Sequence, residues 1–403
     1  MPADAITGQG PRNRQNETGA KGPFLPRLGP MTVSPGSSGT KQAGTIAWRL
    51  LAIAVLVPVA TLSIFRAVPA HWPTPVVQVL SFTPWLVVPA VFALGLALAG
   101  RRILVTTVAA LLLAAQLFWL FPLDTGRPTP VPAGSGTALT AMNINSQFGE
   151  ADAAEIVRLV REEGVGLLTV QEHTQAFEDR LADEGLGTLL PHRASSPTDD
   201  GAGSAIYSLH PLRSLGMVPD TPFQMPTVRL TVEDDGRTSI LEVTNVHALP
   251  PVDVRIAQWR SDLAALGRLA GQDAPARPTG LAAQGGPATE ASPMRPVNRL
   301  LIGDFNATYD HSEFRALLDG GDRGSGGSRD SAGSGSRKMV DVGTAAGLRL
   351  LPTWPMEGVP LPGITIDHLV TSPQIASTGY AVHRITGTDH AAVLATLSIP
   401  AAD

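Results

Sequence analysis

The sequence predicts an α/β domain carried behind three membrane-spanning helices. Apolar runs of roughly twenty residues, the length that crosses a bilayer, follow one another between residues 46 and 122. From Thr137 onward, short apolar strands alternate with amphipathic helices. The same few polar residue types recur where those strands end.

A chain of 403 residues has room for more than one structural unit. Its composition, 43% hydrophobic and 16% charged, is greasy for a soluble enzyme, and the apolar residues are unevenly spread. A net charge of −5 argues against a general nucleic-acid-binding surface and leaves only local basic patches. With no cysteine, disulfides, thiolate metal sites and a cysteine nucleophile are excluded.

Residues 1–44 are rich in Gly, Pro, Ser and Thr without periodicity and read as a disordered tail. The tail is basic: Arg12, Arg14, Lys21, Arg27, Lys41 and Arg49 face only Asp4 and Glu17 over the first fifty residues.

Residues 45–123 hold three spans, about 46–65, 75–98 and 103–122. Arg49 lies near enough to the start of the first to snorkel. Pro84 and Pro89 fall in the second, where a membrane helix tolerates them better than a soluble one does. Trp119 and Phe121 give the third an aromatic edge. A cleaved signal peptide would start earlier in the chain and would not be followed by two more spans. The tail and Gly100-Arg101-Arg102 outweigh Arg66 and Arg127 in basic charge. The N-terminus is therefore expected to be cytoplasmic, and three crossings place the rest outside. The lipid bilayer is the expected partner of these helices, and no obligate protein partner is inferred.

Residues 124–136 form a Pro/Gly linker, and 137–403 form the second unit. Strands are expected at Ala138–Asn143, Val165–Val170, Ser204–Ser208, Thr227–Val232, Ser239–Asn245, near 300, Thr365–Val370 and Ala392–Leu397. Glu233-Asp-Asp-Gly-Arg reads as a hairpin turn between two of them. Helices are expected at Ala151–Glu163, Phe177–Glu184 and Val254–Leu269, and from 312 with Ser312 as cap. Low-complexity stretches at 271–297 and 320–337 read as solvent-exposed loops.

The densest chemistry lies in Asn298-Arg-Leu-Leu-Ile-Gly-Asp-Phe-Asn. Leu300, Leu301 and Ile302 form a buried strand that Gly303 ends. Asp304 and Asn306 then emerge on one side, since residues two apart in extended chain point the same way. A carboxylate beside a carboxamide suits a hard cation and a phosphate oxygen. Alone, Gly-Asp-Phe-Asn is as well explained as an ordinary turn. Its company is what carries weight: Asn143 and Asn145, Gln171-Glu172-His173, Asn245 and His247, Asp367-His368 and Asp389-His390 occupy similar positions. Six such clusters imply one shared site.

Met-Asn-Ile-Asn at 142–145, Val-Gln-Glu at 170–172, Asn-Val-His at 245–247, Gly-Asp-Phe-Asn at 303–306, Ile-Asp-His at 366–368 and Thr-Asp-His at 388–390 occur in the order typical of one family. Over residues 137–399 the chain resembles the endonuclease/exonuclease/phosphatase superfamily, as a membrane-anchored, bacterial-type member. The resemblance implies a four-layer α/β sandwich, two mixed β-sheets face to face with helices outside. It implies an Mg²⁺-dependent phosphoesterase, and more narrowly a phosphodiesterase, with Mn²⁺ as a possible substitute. Glu172 is then the principal metal ligand and Asn143 a nearby metal-shell residue, a role Asn145 takes if the strand shifts by two. Asp389 is the second acidic position beside the metal.

In the same resemblance His390 is the catalytic histidine, Asp367 orients it, and Asp304 shares the proton-taking role. Asn306 holds the scissile phosphate, and His247 stabilises or protonates the leaving group. His368 is read equally well as a site residue or as packing beside Asp367, His173 reads as incidental, and Arg255, Gln258 and Trp259 read as a partly exposed helix face. Ser204 stands where the family often carries Asn, and the long insertions near the central motif bring no chemistry of their own. The expected substrates are extracytoplasmic phosphoesters, nucleic acid or a phospholipid head group. A catalytically inactive, membrane-anchored binding module of the same fold is the alternative, and it predicts losses among these residues that the sequence does not show.

Overall fold

Strands that are apolar on both faces need a cover on each, and this chain supplies it by packing two sheets face to face. The computed structural model describes residues 37–122, 136–234, 236–272, 297–321, 339–358 and 362–401. In chain order, sheet one takes β1 (Gly136–Asn145), β2 (Leu167–Gln171), β3 (His192–Ser196) and β4 (Ser204–Ser208). Sheet two takes β5 (Leu212–Met217), β6 (Pro226–Asp234), β7 (Arg237–His247), β8 (Arg299–Asp304), β9 (Val340–Asp341) and β10 (Asp367–Thr371). The chain then returns to sheet one with β11 (Ala376–Arg384) and β12 (Ala391–Pro400). The strand orders are β11-β12-β1-β2-β4-β3 and β5-β6-β7-β8-β10-β9.

Each sheet is built on a parallel pair, β1 with β2 and β7 with β8, flanked by antiparallel neighbours. Parallel partners end at the same edge, so these two pairs deliver four strand ends that can carry a site.

Leu139, Ala141, Leu167, Val228, Leu230, Val243, Leu300 and Ile302 fill the space between the sheets. Outside sheet one lie α5 (Ala153–Glu162), α6 (Gln175–Asp183) and α7 (Leu186–Leu189), anchored by Ile156, Val160, Phe177 and Leu181. Outside sheet two lie α8 (Ile256–Gly271) and α9 (Ser312–Leu318), anchored by Trp259, Leu263, Leu266 and Phe314. A short α10 (Val342–Ala345) follows β9. The result is the expected four-layer sandwich. Asp152 caps α5 by accepting from the Glu155 amide at 2.9 Å. Ser312 does not cap α9: His311 holds the N-cap position, and the Ser312 hydroxyl donates to Glu313.

Gly303 has a backbone reason to be glycine. It pairs with Val246 across the parallel strands at φ 149°, and a methyl group there would lie 2.0 Å from the Val246 carbonyl oxygen. Gly303→Ala is expected to destabilise the fold by about 3 kcal/mol, since both the steric contact and the unusual φ oppose a side chain. Thermal unfolding of the full chain checks this, and an unchanged midpoint would refute it.

The N-terminal region is helical: α1 (Ser37–Ala67), α2 (Thr74–Leu80), α3 (Val87–Gly100) and α4 (Ile103–Leu120). Three stretches, Gln42–Ala67, Thr83–Gly100 and Ile103–Leu120, are long and apolar enough to cross a membrane. Eighteen residues rise about 27 Å as a helix, close to the thickness of a bilayer's apolar layer. Small residues let these helices pack closely, with Ala52, Ala93, Ala97 and Ala109 in their shared core beside Leu56 and Leu96.

The second span differs from the expected 75–98. Ser81 and Phe82 interrupt it, and Pro84 opens a 3₁₀ turn at Thr83–Leu86 that leads into α3. The separated α2 lies against the sandwich. There Thr74 Oγ1 donates to the Asp253 carbonyl at 2.9 Å, and Val77 joins the core under α8 and α9. α1 also begins at Ser37, inside the stretch read as a tail. The rest of that tail, nearly all of the 124–136 linker, and most of the loops at 271–297 and 320–337 lie outside the described residues.

Candidate active site

The C-terminal ends of β1, β2, β7 and β8 meet at one edge of the sandwich, joined by the start of β10 and the turn before β12. Glu172, one residue past β2, sits at φ 53°, and Asn306, two past β8, at φ 47°. Gln147 and Phe148 share this left-handed conformation at 47° and 54°. Strained backbone of this kind persists where the surroundings over-determine it, and here it aims side chains inward.

One hydrogen-bonded array links the two sheets. Asn145 Nδ2 donates to Glu172 Oε1 at 3.1 Å and to Asp304 Oδ2 at 3.2 Å. Asp304 Oδ1 accepts from the Asn306 amide at 2.8 Å, and Asn306 Nδ2 reaches Asp304 Oδ2 at 3.2 Å and the Ala248 carbonyl at 2.9 Å. Glu172 Oε2 accepts from the Phe148 amide at 2.9 Å. Of the two asparagines offered by β1, Asn145 is therefore the one beside Glu172. Asn143, expected as the metal-shell residue, lies one side-chain layer deeper, where its Oδ1 accepts from Thr169 and Gln171. The correction is a shift of two residues, which keeps the face and changes the depth.

His390, Asp367 and Asp304 form the second part of the site. β10 runs antiparallel to β8 with Asp367 opposite Asp304. His390 Nδ1 donates to Asp367 Oδ2 at 2.9 Å, which points Nε2 towards Asp304 Oδ2 at 3.8 Å. Burial works against a charged imidazole, but the carboxylates of Asp367 and Asp304 outweigh it and push His390 up to about 10. Burial raises the Asp304 carboxyl well above the usual carboxylate range, against the opposing pull of His390.

His390 binds its proton more tightly folded than at its ordinary value of 6.5, so its contribution is complete below about pH 6.5 and is lost as pH rises through about 10. Asp367→Asn removes the largest favourable cause of that shift. Its unfolding midpoint is expected to depend less on pH between 7 and 10 than the wild type's. Parallel slopes for the two proteins in thermal melts would refute this.

Four carboxylates, those of Glu172, Asp304, Asp367 and Asp389, converge here against one basic imidazole. Burial raises Glu172 above its usual range, and the Asp389 charge adds to the rise. Such a deficit of positive charge fits a divalent cation held by hard oxygen ligands. Asp304, Asp367 and His390 also bring one donor atom each within 4.8 Å of one another. In that trio, however, the two carboxylates hold His390 protonated, so Nε2 carries a hydrogen and has no lone pair for a cation, and the trio reads as a proton-holding group. Glu172, with Asn145 beside it, has the better claim to the cation. Asp389 lies at the rim, accepting from Trp354 Nε1 at 2.8 Å and standing 4.0 Å from His390 Nε2.

His247 ends β7 with its ring stacked on Phe223 at 4.3 Å and Nε2 3.9 Å from Glu172 Oε1. Burial, helped by the nearby His390, lowers it to about 3, so the ring is neutral at physiological pH. The structure thus brings His247, Asp304, Asn306, Asp367, His390, Glu172 and Asp389 to one site and leaves Asn143 below it.

Other motif residues have structural partners. Asn245 donates to Ser204 Oγ and the Val170 and Ala205 carbonyls and accepts from Gln171, tying the sheets together. His173 meets Glu178 and Tyr207, and His368 meets Asp341 and the Ala307 carbonyl. Trp259, expected to be partly exposed, is fully buried with its ring edge-on to His311. Sequence reasoning missed Gln147, whose Oε1 accepts from the Asp389 amide, and the aromatics Phe148 and Phe223, which flank Gly201 near Glu172. A polar–aromatic pair just past a strand is the only local signal that marks Gln147 and Phe148.

The model of the Endonuclease/Exonuclease/phosphatase family matches residues 141–276 and 278–390. Among solved structures, a humanized D. rerio TDP2 is 13% identical with a TM-score of 0.43, over 64% of this chain and 98% of that one. An endonuclease/exonuclease/phosphatase protein from Beutenbergia cavernae DSM 12333 is 15% identical with a TM-score of 0.43, over 65% and 72%. ANGEL2, described as a 2',3'-cyclic phosphatase, is 13% identical with a TM-score of 0.43, over 66% and 96%. No curated protein matches the chain.

Proposed function

The chain belongs to the endonuclease/exonuclease/phosphatase family, and on that premise we propose that it is a membrane-anchored, Mg²⁺-dependent phosphodiesterase acting outside the cytoplasm. The observation that carries this reading is the buried array joining Glu172, Asn145, Asp304 and Asn306 to the Asp367–His390 pair.

The 3.8 Å between His390 Nε2 and Asp304 Oδ2 is too long for a direct hydrogen bond and short enough for one oxygen to reach both. A water held there can pass its proton to the Asp304 carboxylate, while the protonated His390, kept aimed by Asp367, donates Nε2–H into the same gap. The neutral His247 offers an N–H to the phosphate oxygens as charge develops on them, and Asn306 Nδ2 can do the same by exchanging its 3.2 Å contact with Asp304 for one with the phosphate. Glu172, with Asn145 and Asp389 beside it, would hold the cation. When bound, the cation neutralises the phosphate and stabilises the departing oxygen. Mn²⁺ fits the same oxygen ligands.

Nucleic acid and phospholipid head groups both remain within this reading. The placement outside rests on the basic tail and the Arg101-Arg102 turn, and a reporter fused to the C-terminus tests it.

Hydrolysis of bis-p-nitrophenyl phosphate by the full chain in detergent is the test of the chemistry. Turnover is expected with Mg²⁺ or Mn²⁺, none with EDTA, and almost none for His390→Ala. Turnover that survives both EDTA and His390→Ala would sink the proposal. A folded chain that binds Mn²⁺ and hydrolyses no phosphodiester would leave the binding module as the better reading.

A further inference from the structure

The loop between β8 and α9 carries Asn306 and begins at Asp304. Its far end, Thr308–His311, is gripped by the N-terminal helices. Asp310 is almost fully buried, and each of its carboxylate oxygens is taken by a different arginine. Arg66 Nε, at the end of α1, reaches Oδ1 at 2.8 Å, and Arg349 Nη2 reaches Oδ2 at 2.5 Å. Both arginines also hold the end of α4, Arg66 by stacking on the Trp119 ring at 4.6 Å and Arg349 by donating to the Trp119 carbonyl at 2.7 Å. One residue on, the His311 ring contacts the Val77 carbonyl of α2 at 2.9 Å through Nε2, and its Nδ1 accepts from the Thr308 amide at 2.9 Å.

Packing alone does not fix this loop. Beside it lies a cavity of about 250 Å³, lined by Trp85, Val88 and Leu120 from the helices and by Thr308, Tyr309 and Asp310 from the loop. Charged hydrogen bonds with defined directions hold the segment where apolar contact leaves space. Three residues, Ala307, Thr308 and Tyr309, separate Asp310 from Asn306, so a displacement at one end reaches the other through a short, buried chain.

We propose that Arg66 is a positioning residue, and that the N-terminal helices set the geometry of the Asp304–Asn306 loop as well as tethering the domain. The proposal rests on the catalytic reading above for its kinetic consequence and on the loop geometry for its structural one. A misplacement of about 1 Å at reacting groups can cost about a hundredfold in rate.

The test uses the full chain in detergent with Arg66→Met, Arg66→Lys and a control, Arg49→Met. Arg49 donates to the Gly100 carbonyl at the opposite end of the helices. The expected result is a fall in kcat of about 10- to 100-fold for Arg66→Met, with KM and Mn²⁺ affinity kept within about twofold. Arg66→Lys should recover most of the loss, and Arg49→Met should match the wild type. Amide exchange reads the loop without activity: Arg66→Met should speed exchange in residues 305–318 and leave 143–173 unchanged. An unchanged kcat and unchanged loop exchange would overturn the proposal. So would a fall in which kcat, KM, Mn²⁺ affinity and exchange across the whole sandwich degrade together, because the helices would then only stabilise the domain. A wild-type chain without turnover would refute the catalytic reading, while the exchange experiment still decides the role of Arg66.

Discussion

Asp304→Asn is expected to lower kcat by about a thousandfold, with KM changed by less than about threefold. The carboxylate sits where three functions coincide. It lies 3.8 Å from His390 Nε2, across the gap in which one oxygen can touch both. It accepts two hydrogen bonds from Asn306 and one from Asn145, so it holds both the residue proposed to meet the phosphate and the residue that faces Glu172. Its charge also helps to keep His390 protonated. Asparagine preserves the shape but turns one acceptor into a donor, which then confronts the amide donors of Asn145 or Asn306. Substrate contacts made elsewhere survive, which is why the loss should fall on kcat. Steady-state kinetics on a phosphodiester, with Mg²⁺ saturating, checks it. A loss below about tenfold would show that Asp304 is not the group that takes the water's proton.

Both sheets' central strands were legible because each is a short apolar run that ends in a polar cluster. Leu300–Ile302 before Gly303-Asp304 is the clearest case. The edge strands were not. β3, His192–Ser196, and β5, Leu212–Met217, are mostly half-buried or exposed along their length, so neither carries the alternation that marks a half-buried strand. β11 contains Gly379 at φ 65° within an irregular pairing, which breaks its period.

The spacing of motifs picked out residues that converge in the structure but not the depth at which each lies. Asn143 and Asn145 share a face, and only the pairing of Asn145 with Gln171 at the end of β2 tells which one reaches Glu172. Asn245 shows the converse. Its strand-end position resembled that of the candidate site residues, yet its hydrogen bonds are spent joining the sheets. The contact between the helices and the β8–α9 loop was invisible in the sequence because Arg66 and Asp310 are 244 residues apart. A charge near the end of an apolar span ordinarily reads as snorkelling.

Glu172→Gln should separate stability from function. Burial holds the Glu172 carboxyl above its usual range. The ionised form therefore costs the metal-free fold stability, a cost that grows as pH rises from the unfolded value through the folded one. Glutamine has the same shape, keeps an oxygen for the Phe148 amide and carries no charge, and it gives up only the 3.1 Å hydrogen bond from Asn145 Nδ2, less than the relief of a buried charge returns. At pH 7.5 the metal-free variant is expected to melt at or above the wild-type temperature. Mn²⁺ should raise the wild-type midpoint, because a ligand bound only by the folded state stabilises it. The same titration should leave Glu172→Gln where it was, and its turnover should fall by at least about a thousandfold. The Mn²⁺ titration also discriminates between the two cation sites the carboxylates could form. If Glu172→Gln keeps the full Mn²⁺ shift, the cation sits on Asp304, Asp367 and His390 instead. His390 would then have to release its Nε2 proton to bind it, and the Asp304–His390 pair could not take the proton of the attacking water.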